Sequence, residues 1–271
     1  MTRGGVRGMV ARWRGRDIEL KSPDELEAMR AAGALVARTL AEVTTLAKPG
    51  VSTAELDALA EQTIRDAAAE PSFKGYNGYP ASICASVNEQ IVHGIPSASR
   101  VLVEGDLISV DCGAVLDGWH GDAAVTIPIG VVSDPDVLLS AACEAALQDG
   151  IAAAVAGGRL TDISYAVQSS IAEAAVRNRA DYGIVAEYGG HGIGTAMHMD
   201  PFLPNHGEPG HGPRLRPGMA LAIEPMITAG DPETVELEDG WTVVTADGAR
   251  AVHWEHTVAI TEDGPRVLTL L

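Results

Sequence analysis

The sequence predicts an α+β domain made of two structurally similar halves. The first observation is an order of elements, two helices followed by β-prone runs, that occurs twice along the chain. The second is that no linker between the two repeats would support independent domains. The third is the length of 271 residues, which is enough to bury one large core. We therefore expect the halves to pack as one unit, with any shared site between them.

The first half begins with two well-marked helix starts. The motif SPDE at 22–25 places Pro at the first helical position inside a capping box, and STAE at 52–55 repeats the box. A loop rich in Gly, Tyr and Pro follows at 74–80. The β-prone runs of this half then lie at 82–87, 106–114 and 119–129.

The second half repeats this order. Helical stretches are expected at 136–156 and 161–178, and the first lies in the most apolar long stretch of the chain. Its β-prone segments lie at 219–228, 241–245, 251–261 and 266–270.

Charge and its distribution limit the possible functions. The chain carries 19 Lys and Arg against 37 Asp and Glu, a formal net charge of -18 at pH 7, which disfavours DNA or RNA binding as the main function. Basic residues nevertheless cluster in residues 1–17, which we interpret as a disordered basic arm because they show no clear periodicity. This arm is either a poorly ordered terminus or a docking segment for an anionic partner such as the ribosome.

Cysteine usage and hydropathy indicate the cellular compartment. Three cysteines without a close pair are typical of free thiols in a reducing cytosol. The sequence contains neither a recognisable secretory leader nor an uninterrupted apolar run of about 18 residues. We therefore expect a cytoplasmic protein that does not insert into a membrane.

The most informative segment is the apolar run that contains Asp111 and Asp122. The pair Asp117-Gly118 is a strong signal for a two-residue hairpin loop. That loop pairs Asp111 with Ala124 and places both carboxylates on one face as diagonal neighbours, with Cα atoms roughly 7 to 8 Å apart. Such a pair is close enough to bind cations, although a solvated face would also accommodate it.

Glycines surround His191 in the motif GGHGIG at 189–194, and His198 follows seven residues after His191. These glycines discourage a helix and allow close approach of the backbone to a ligand. For each histidine taken alone, a structural role in a turn remains the alternative. The order of residues required for a dinucleotide fingerprint or a P-loop is missing.

Glu224 and Glu255 each interrupt a strand-like apolar run in the second half. A surface strand would explain Glu255, since His253 and Thr257 share its face, but it explains Glu224 less well. Together with the two aspartates and His191 they form a set of four carboxylates and one imidazole. Such an oxygen-rich set suits two adjacent divalent ions and differs from the Cys- and His-rich set of a structural zinc site.

With these motifs in order, the sequence resembles the bacterial type I methionine aminopeptidases, within the wider family that also contains proline-specific aminopeptidases and creatinase. The resemblance covers residues 18–271 and rests on five motifs: NEQIVHGIP at 88–96, the hairpin with its two aspartates, GHGIG at 190–194, IEP at 223–225 and EHT at 255–257. It implies a pita-bread fold with two pseudo-symmetric halves and a site between them. It also implies that residues 18–271 form a single catalytic domain after the arm at 1–17.

The resemblance also implies roles for the candidate residues. Two divalent ions would be held by the five ligand candidates, with Asp122 and Glu255 bridging, and Fe(II), Mn(II) and Co(II) all suit this set. A hydroxide bridging the metals would attack the first peptide carbonyl, and Glu224 would accept a proton from that water. His198 would donate to the developing oxyanion, and His93 would contact the scissile amide.

Four residues resemble those that line the family's pocket for a methionine side chain: Tyr76, Tyr79, Cys84 and Trp241. Aromatic faces and a thiol offer polarizable contacts to a thioether. The alternative is that these are ordinary loop and core residues. Asn77 stands where many relatives carry His, and Phe73 and Met197 occupy variable pocket positions, so these departures bear on the size of the pocket more than on the reaction.

The implied activity is removal of the N-terminal initiator methionine from nascent proteins when the second residue is small. The expected partners are the N-termini of nascent polypeptides that begin with Met, with the ribosome as a further candidate, and we expect a monomer. A proline-specific peptidase of the same fold is the first alternative, although such relatives usually carry a further N-terminal domain. A non-catalytic binding protein that kept the fold is the second, although such relatives lose metal ligands.

Overall fold

The computed structural model describes residues 18–271, so the predicted basic arm at 1–17 lies outside the described residues. The division into an arm and a single domain stays a prediction. Two helices precede the strands of each half, as expected from the sequence. These helices are α1 (Pro23–Leu46), α2 (Thr53–Asp66), α3 (Asp134–Ala153) and α4 (Leu160–Asn178).

The helix starts of the first half have the predicted caps. At the start of α1, the Ser22 hydroxyl accepts the Glu25 N–H and the Glu25 carboxylate accepts the Ser22 N–H. Ser52 and Glu55 make the same reciprocal bonds at the start of α2. Each box satisfies two backbone donors that the first turn leaves free.

The strands form one large sheet and two small ones. The large antiparallel sheet has the order β1-β4-β5-β14-β9-β7-β8, with β2 also paired to β4 and β15 to β14; the small sheets are β13-β10-β6 and β11-β12-β3. The strands in chain order are β1 (Glu70–Pro71), β2 (Ile83–Val87), β3 (Gln90–Val92), β4 (Leu107–Leu116), β5 (Trp119–Pro128), β6 (Gly183–Ile184), β7 (Gly189–Gly192), β8 (Met199–Pro204), β9 (Ala220–Ile223), β10 (Met226–Thr228), β11 (Thr234–Glu236), β12 (Val243–Thr245), β13 (Ala251–His253), β14 (Glu255–Thr261) and β15 (Gly264–Val267).

The β4–β5 hairpin has the register that the sequence predicts. Asp117 and Gly118 form its loop, with φ angles of 50° and 82°. Two positive φ values are the requirement of a type I′ turn, whose twist matches that of the strands. Asp111 pairs with Ala124, and Gly113 with Asp122, so both aspartates lie on one face.

The two halves meet where β5 pairs with β14, through Glu255 opposite Ala124 and His256 opposite Ala123. On the first half, α1 packs on β4 and β5. Helix α1 lies so close to β5 that a Cβ atom added to Gly121 would be 2.8 Å from the backbone nitrogen of Gly33 in α1. On the second half, α3 and α4 pack together over β10 and β13. The α+β order of two similar halves is therefore confirmed.

Some element boundaries differ from the sequence prediction. The run 219–228 is interrupted by Glu224 and Pro225, because Pro cannot donate a ladder hydrogen bond. The run 251–261 divides at Trp254. The short strands β6, β7 and β8 were not predicted, since their glycines and prolines carry little strand signal. Within residues 18–271, no helix combines the length and the apolar character that crossing a membrane requires.

Candidate metal centre

Five neighbouring strands of the large sheet each bring one candidate ligand to the same place. The spatial order of these strands is β4, β5, β14, β9 and β7, and the glutamate assigned to β9 comes directly after the strand's last residue. The seam between the halves runs through the middle of this order. The five residues are Asp111, Asp122, Glu255, Glu224 and His191.

At the seam, register fixes the positions of three carboxylates, two from the first half and one from the second. Ala124 of β5 stands between Asp111 on β4 and Glu255 on β14. Asp122 lies two residues before Ala124 and therefore shares its face. The backbone of Asp122 is tied to β14, because its N–H donates to the Thr257 hydroxyl at 3.1 Å and its carbonyl accepts from that hydroxyl at 2.8 Å.

On the second-half side, His191 of β7 pairs with Ala222 of β9, and Glu224 lies two residues beyond Ala222. The His191 Nδ1 lies 2.9 Å from the Gly192 carbonyl oxygen. Because a carbonyl only accepts, Nδ1 carries the proton, and the lone pair on Nε2 is left for a ligand. That Nε2 lies 3.4 Å from Glu224 Oε1. The backbone carbonyl of Glu224 is held by the Asn205 amide at 3.0 Å.

The carboxylate oxygens lack enough partners within the protein. Among the described residues, Asp111 Oδ1, Asp122 Oδ1 and Glu255 Oε1 are inaccessible to solvent and make no hydrogen bond. One ligand atom from each of Asp122, His191 and Glu255 lies within 4.8 Å of the others. Buried polar atoms are nearly always satisfied, so this arrangement fits a divalent cation as the missing partner.

The electrostatics lead to the same conclusion. Burial raises the pKa of Asp111 to about 7, and it holds the pKa values of Asp122, Glu224 and Glu255 well above their usual range. No Lys or Arg is among the described residues that line the surrounding cavity. Four carboxylates without a cationic side chain are costly to bury, and bound cations would supply the missing charge.

The site lies in a cavity of about 540 Å³. His198 lies beside the candidate ligands, with its ring centroid 4.3 Å from that of His191. The Nδ1 of His198 lies 3.0 Å from the Tyr76 hydroxyl. His93 stands on another wall, edge-to-face with Tyr188 at 5.7 Å. Burial lowers the pKa of His93 to about 4, so its ring is neutral at physiological pH.

Part of the wall of this cavity is apolar, and we call this part the apolar pocket. Its buried cluster contains the predicted Tyr79 and Cys84 together with Phe73 and Met197, and the predicted Trp241 packs against it. The rings of Tyr79 and Trp241 meet edge-to-face at 5.1 Å. Tyr76 lines the cavity but lies outside this cluster, where it contacts His198 instead.

The sequence reasoning missed several residues of the cavity. Tyr188 and His253 line it, as do Phe202 and Met226. For His253 a signal was present, because a residue two positions before Glu255 in a strand shares its face. The alternative of a surface strand for Glu255 is wrong, since this residue is 2% exposed. No local pattern marks the other three, which reach the cavity through tertiary packing.

The comparisons define the class of protein. Residues 27–262 match metallopeptidase family M24. The chain is 59% identical over 262 residues to methionine aminopeptidase 1 of Mycobacterium tuberculosis, a match that covers 96% of this chain and 98% of that protein. The chain therefore belongs to metallopeptidase family M24, and it is a metal-dependent hydrolase by that membership. Within the family it groups with the methionine aminopeptidases.

Solved structures agree with this placement and with the fold. The methionine aminopeptidase of Thermotoga maritima superimposes with a TM-score of 0.90 at 42% identity, over 94% of this chain and all of that one (100%). The Xaa-Pro dipeptidase of Bacillus anthracis superimposes with a TM-score of 0.71 at 23% identity, over 92% of this chain but 61% of that one. The second match shows the shared pita-bread fold and nothing about substrate.

Proposed function

We propose that this chain is a methionine aminopeptidase that removes the initiator methionine from nascent proteins whose second residue is small. The observation that carries the proposal is a cluster of buried carboxylate oxygens, without partners in the described part of the chain, beside an apolar pocket. The carboxylates suit the metal ions of a hydrolase, and the pocket suits one apolar side chain. The names of the similar proteins support the same activity.

We further propose that the five ligand candidates hold two divalent ions. Asp122 and Glu255 lie on the two strands that meet at the seam between the halves, with Asp111 on one side and His191 and Glu224 on the other. Asp122 and Glu255 would therefore contribute to both ions. Fe(II), Mn(II) and Co(II) all accept such a mixed oxygen and nitrogen set. When bound, the ions lower the pKa of water and polarise a carbonyl group.

The chain's own residues then divide the proton transfers. Glu224 accepts a proton from the attacking water, because its carboxylate lines the cavity beside the candidate ligands His191 and Glu255. His198 donates to the oxygen on which negative charge develops, with its ring oriented by the Tyr76 hydroxyl at 3.0 Å. His93, neutral and fixed between Tyr188 and Trp241, contacts the scissile amide.

The apolar pocket receives the methionine side chain. Met197, Cys84 and the ring of Trp241 offer polarizable contacts to its thioether. The substrate partners are therefore the N-termini of nascent polypeptides that begin with Met. We place this work in the cytoplasm, by a monomer, with the ribosome as a docking partner of the basic arm.

The test is methionine release from a Met-Ala-Ser peptide by chelator-treated protein, with Mn(II), Fe(II) or Co(II) added back. Release should require metal and should disappear in Asp122→Asn. Asp117→Asn is the matched control, because Asp117 lies exposed in the loop of the same hairpin and should leave release unchanged. Folded protein that releases no methionine with any metal would refute the proposal. Cleavage of X-Pro peptides instead would favour the proline-specific alternative, and no cleavage at all would favour a binding protein.

A further inference from the structure

His253 is a buried imidazole at the metal centre to which the proposed reaction assigns no task. It is 2% exposed and lines the cavity beside the glutamates. Its Nε2 is inaccessible to solvent and has no hydrogen-bond partner among residues 18–271. That atom lies 3.7 Å from Glu224 Oε2 and 3.9 Å from Glu255 Oε2. A buried nitrogen without a partner is costly, so this placement calls for an explanation.

The backbone of His253 is fixed by side chains from the first half. Its N–H donates to the Ser109 hydroxyl at 3.1 Å and to the Thr126 hydroxyl at 3.2 Å. The Thr126 hydroxyl donates to the His253 carbonyl at 2.9 Å. Ser109 and Thr126 face each other across β4 and β5 and lie 2.9 Å apart at their oxygens. The position of this ring is therefore set across the seam between the halves.

The two oxygens of Glu224 face two different imidazoles. Oε1 lies 3.4 Å from His191 Nε2, whose lone pair is free because the proton sits on Nδ1. Oε2 faces His253 Nε2. The two nitrogens can therefore have different roles. His191 Nε2 can bind a metal, and His253 Nε2 can donate a hydrogen bond to the second oxygen of Glu224. The geometry allows both around one carboxylate.

We propose that His253 is a positioning residue of the metal centre, whose Nε2–H donates to Glu224 Oε2 and fixes the orientation of that carboxylate. An N–H···O hydrogen bond of about 2.9 Å requires the two atoms to approach by about 0.8 Å from 3.7 Å, a shift that a side-chain rotation can supply. The inference rests on Glu224 being a metal ligand, as proposed above. It adds a group that neither the ligand set nor the proton transfers include.

A residue that hydrogen-bonds to a metal ligand changes the metal affinity without binding the metal itself. Removing a hydrogen bond to a ligating side chain costs about 10- to 100-fold in metal affinity or activity. For His253 we expect a loss in this range. The free protein should keep its fold, because the backbone bonds of His253 do not depend on its side chain.

In the experiment, the chelator-treated protein is titrated with Co(II) in the absence of peptide. Visible absorption and calorimetry measure the binding. His253→Gln keeps an amide that reaches Glu224 and should stay within about threefold of the parent affinity. His253→Asn carries the same group on a shorter side chain and should bind Co(II) about 10- to 100-fold more weakly. The control is His256→Gln, because His256 bonds to Thr269 at 2.8 Å on the other side of the sheet.

Each outcome decides the matter. Weaker binding in His253→Asn with an unchanged Co(II) band pattern supports the proposal. Equal affinity in His253→Asn and the parent overturns it. A changed band pattern in both variants would mean that His253 is itself a ligand, which also overturns it. Because no peptide is present, these results do not depend on whether methionine is released, so the two proposals fail separately.

Discussion

Replacing Asp111 by Asn should stabilise the metal-free protein at neutral pH. Burial raises the pKa of Asp111 to about 7, from an ordinary value of 3.8. The folded pKa lies above the unfolded pKa, so the folded state binds more protons than the unfolded state between those values. The free energy of unfolding therefore falls as pH rises from about 4 to about 7 and stays low above that.

The magnitude follows from this shift. The difference between about 7 and 3.8 is about 3 units, and each unit is worth about 1.4 kcal/mol, which gives about 4 kcal/mol for Asp111. Asp111 titrates together with neighbouring carboxyl groups, so part of this energy belongs to them and remains in the variant. We therefore expect Asp111→Asn to raise the free energy of unfolding by about 1 to 4 kcal/mol. Asn keeps the shape of Asp, carries no charge, and so removes the repulsion between Asp111 and the neighbouring Asp122.

The assay is urea unfolding of chelator-treated parent and Asp111→Asn at about pH 4 and about pH 8. The variant should be more stable at the higher pH and nearly equal at the lower one. With metal added, the order should reverse, because the variant has lost a ligand. Asp117→Asn changes an exposed aspartate in the same hairpin. It should leave the free energy of unfolding unchanged, both in chelator and with metal added. A variant less stable than the parent at about pH 8 in chelator would refute the reasoning.

Three further substitutions have defined outcomes. Tyr76→Phe removes the 3.0 Å contact to His198 and should lower kcat for Met-Ala-Ser about fivefold with KM unchanged; a changed KM alone in steady-state assays would contradict the assigned role. Trp241→Ala removes a wall of the pocket and should raise KM at least about tenfold, which peptide titration would show or exclude. Lys21→Met leaves the buried Ile193 carbonyl without its donor and should lower the free energy of unfolding by about 1 to 3 kcal/mol; an unchanged urea midpoint would disprove this.

Local signals in the sequence predicted those parts of the fold that are set by local geometry. The two capping boxes and the Asp117-Gly118 turn depend on hydrogen bonds or φ values within four residues, so their chemistry is visible in the sequence. The hairpin register then follows from the turn, and it places Asp111 and Asp122 on one face. The glycines around His191, and the apolar runs that Glu224 and Glu255 interrupt, added the other candidates, and the resemblance then supplied their roles.

What the sequence could not supply is the order of strands in the large sheet. Pairing of β14 with β5 joins residues about 130 positions apart, and no local pattern specifies such a contact. Tyr188 reaches the cavity in the same way, from a segment with weak strand propensity. His253 is an intermediate case, since its face was predictable but its distance to Glu224 was not.

The distribution of the candidate ligands gives metal binding a structural consequence. Asp111 and Asp122 belong to the first half, and the other three belong to the second, so neither half alone carries the complete set. In the metal-free protein, repulsion among the buried carboxylates acts across the β5–β14 seam. Bound cations would attract the carboxylates of both halves and so hold the two halves together at the seam. We therefore expect metal to slow the exchange of seam amides such as that of Asp122 more than the exchange of amides in α1, and equal protection of both by metal would contradict this coupling.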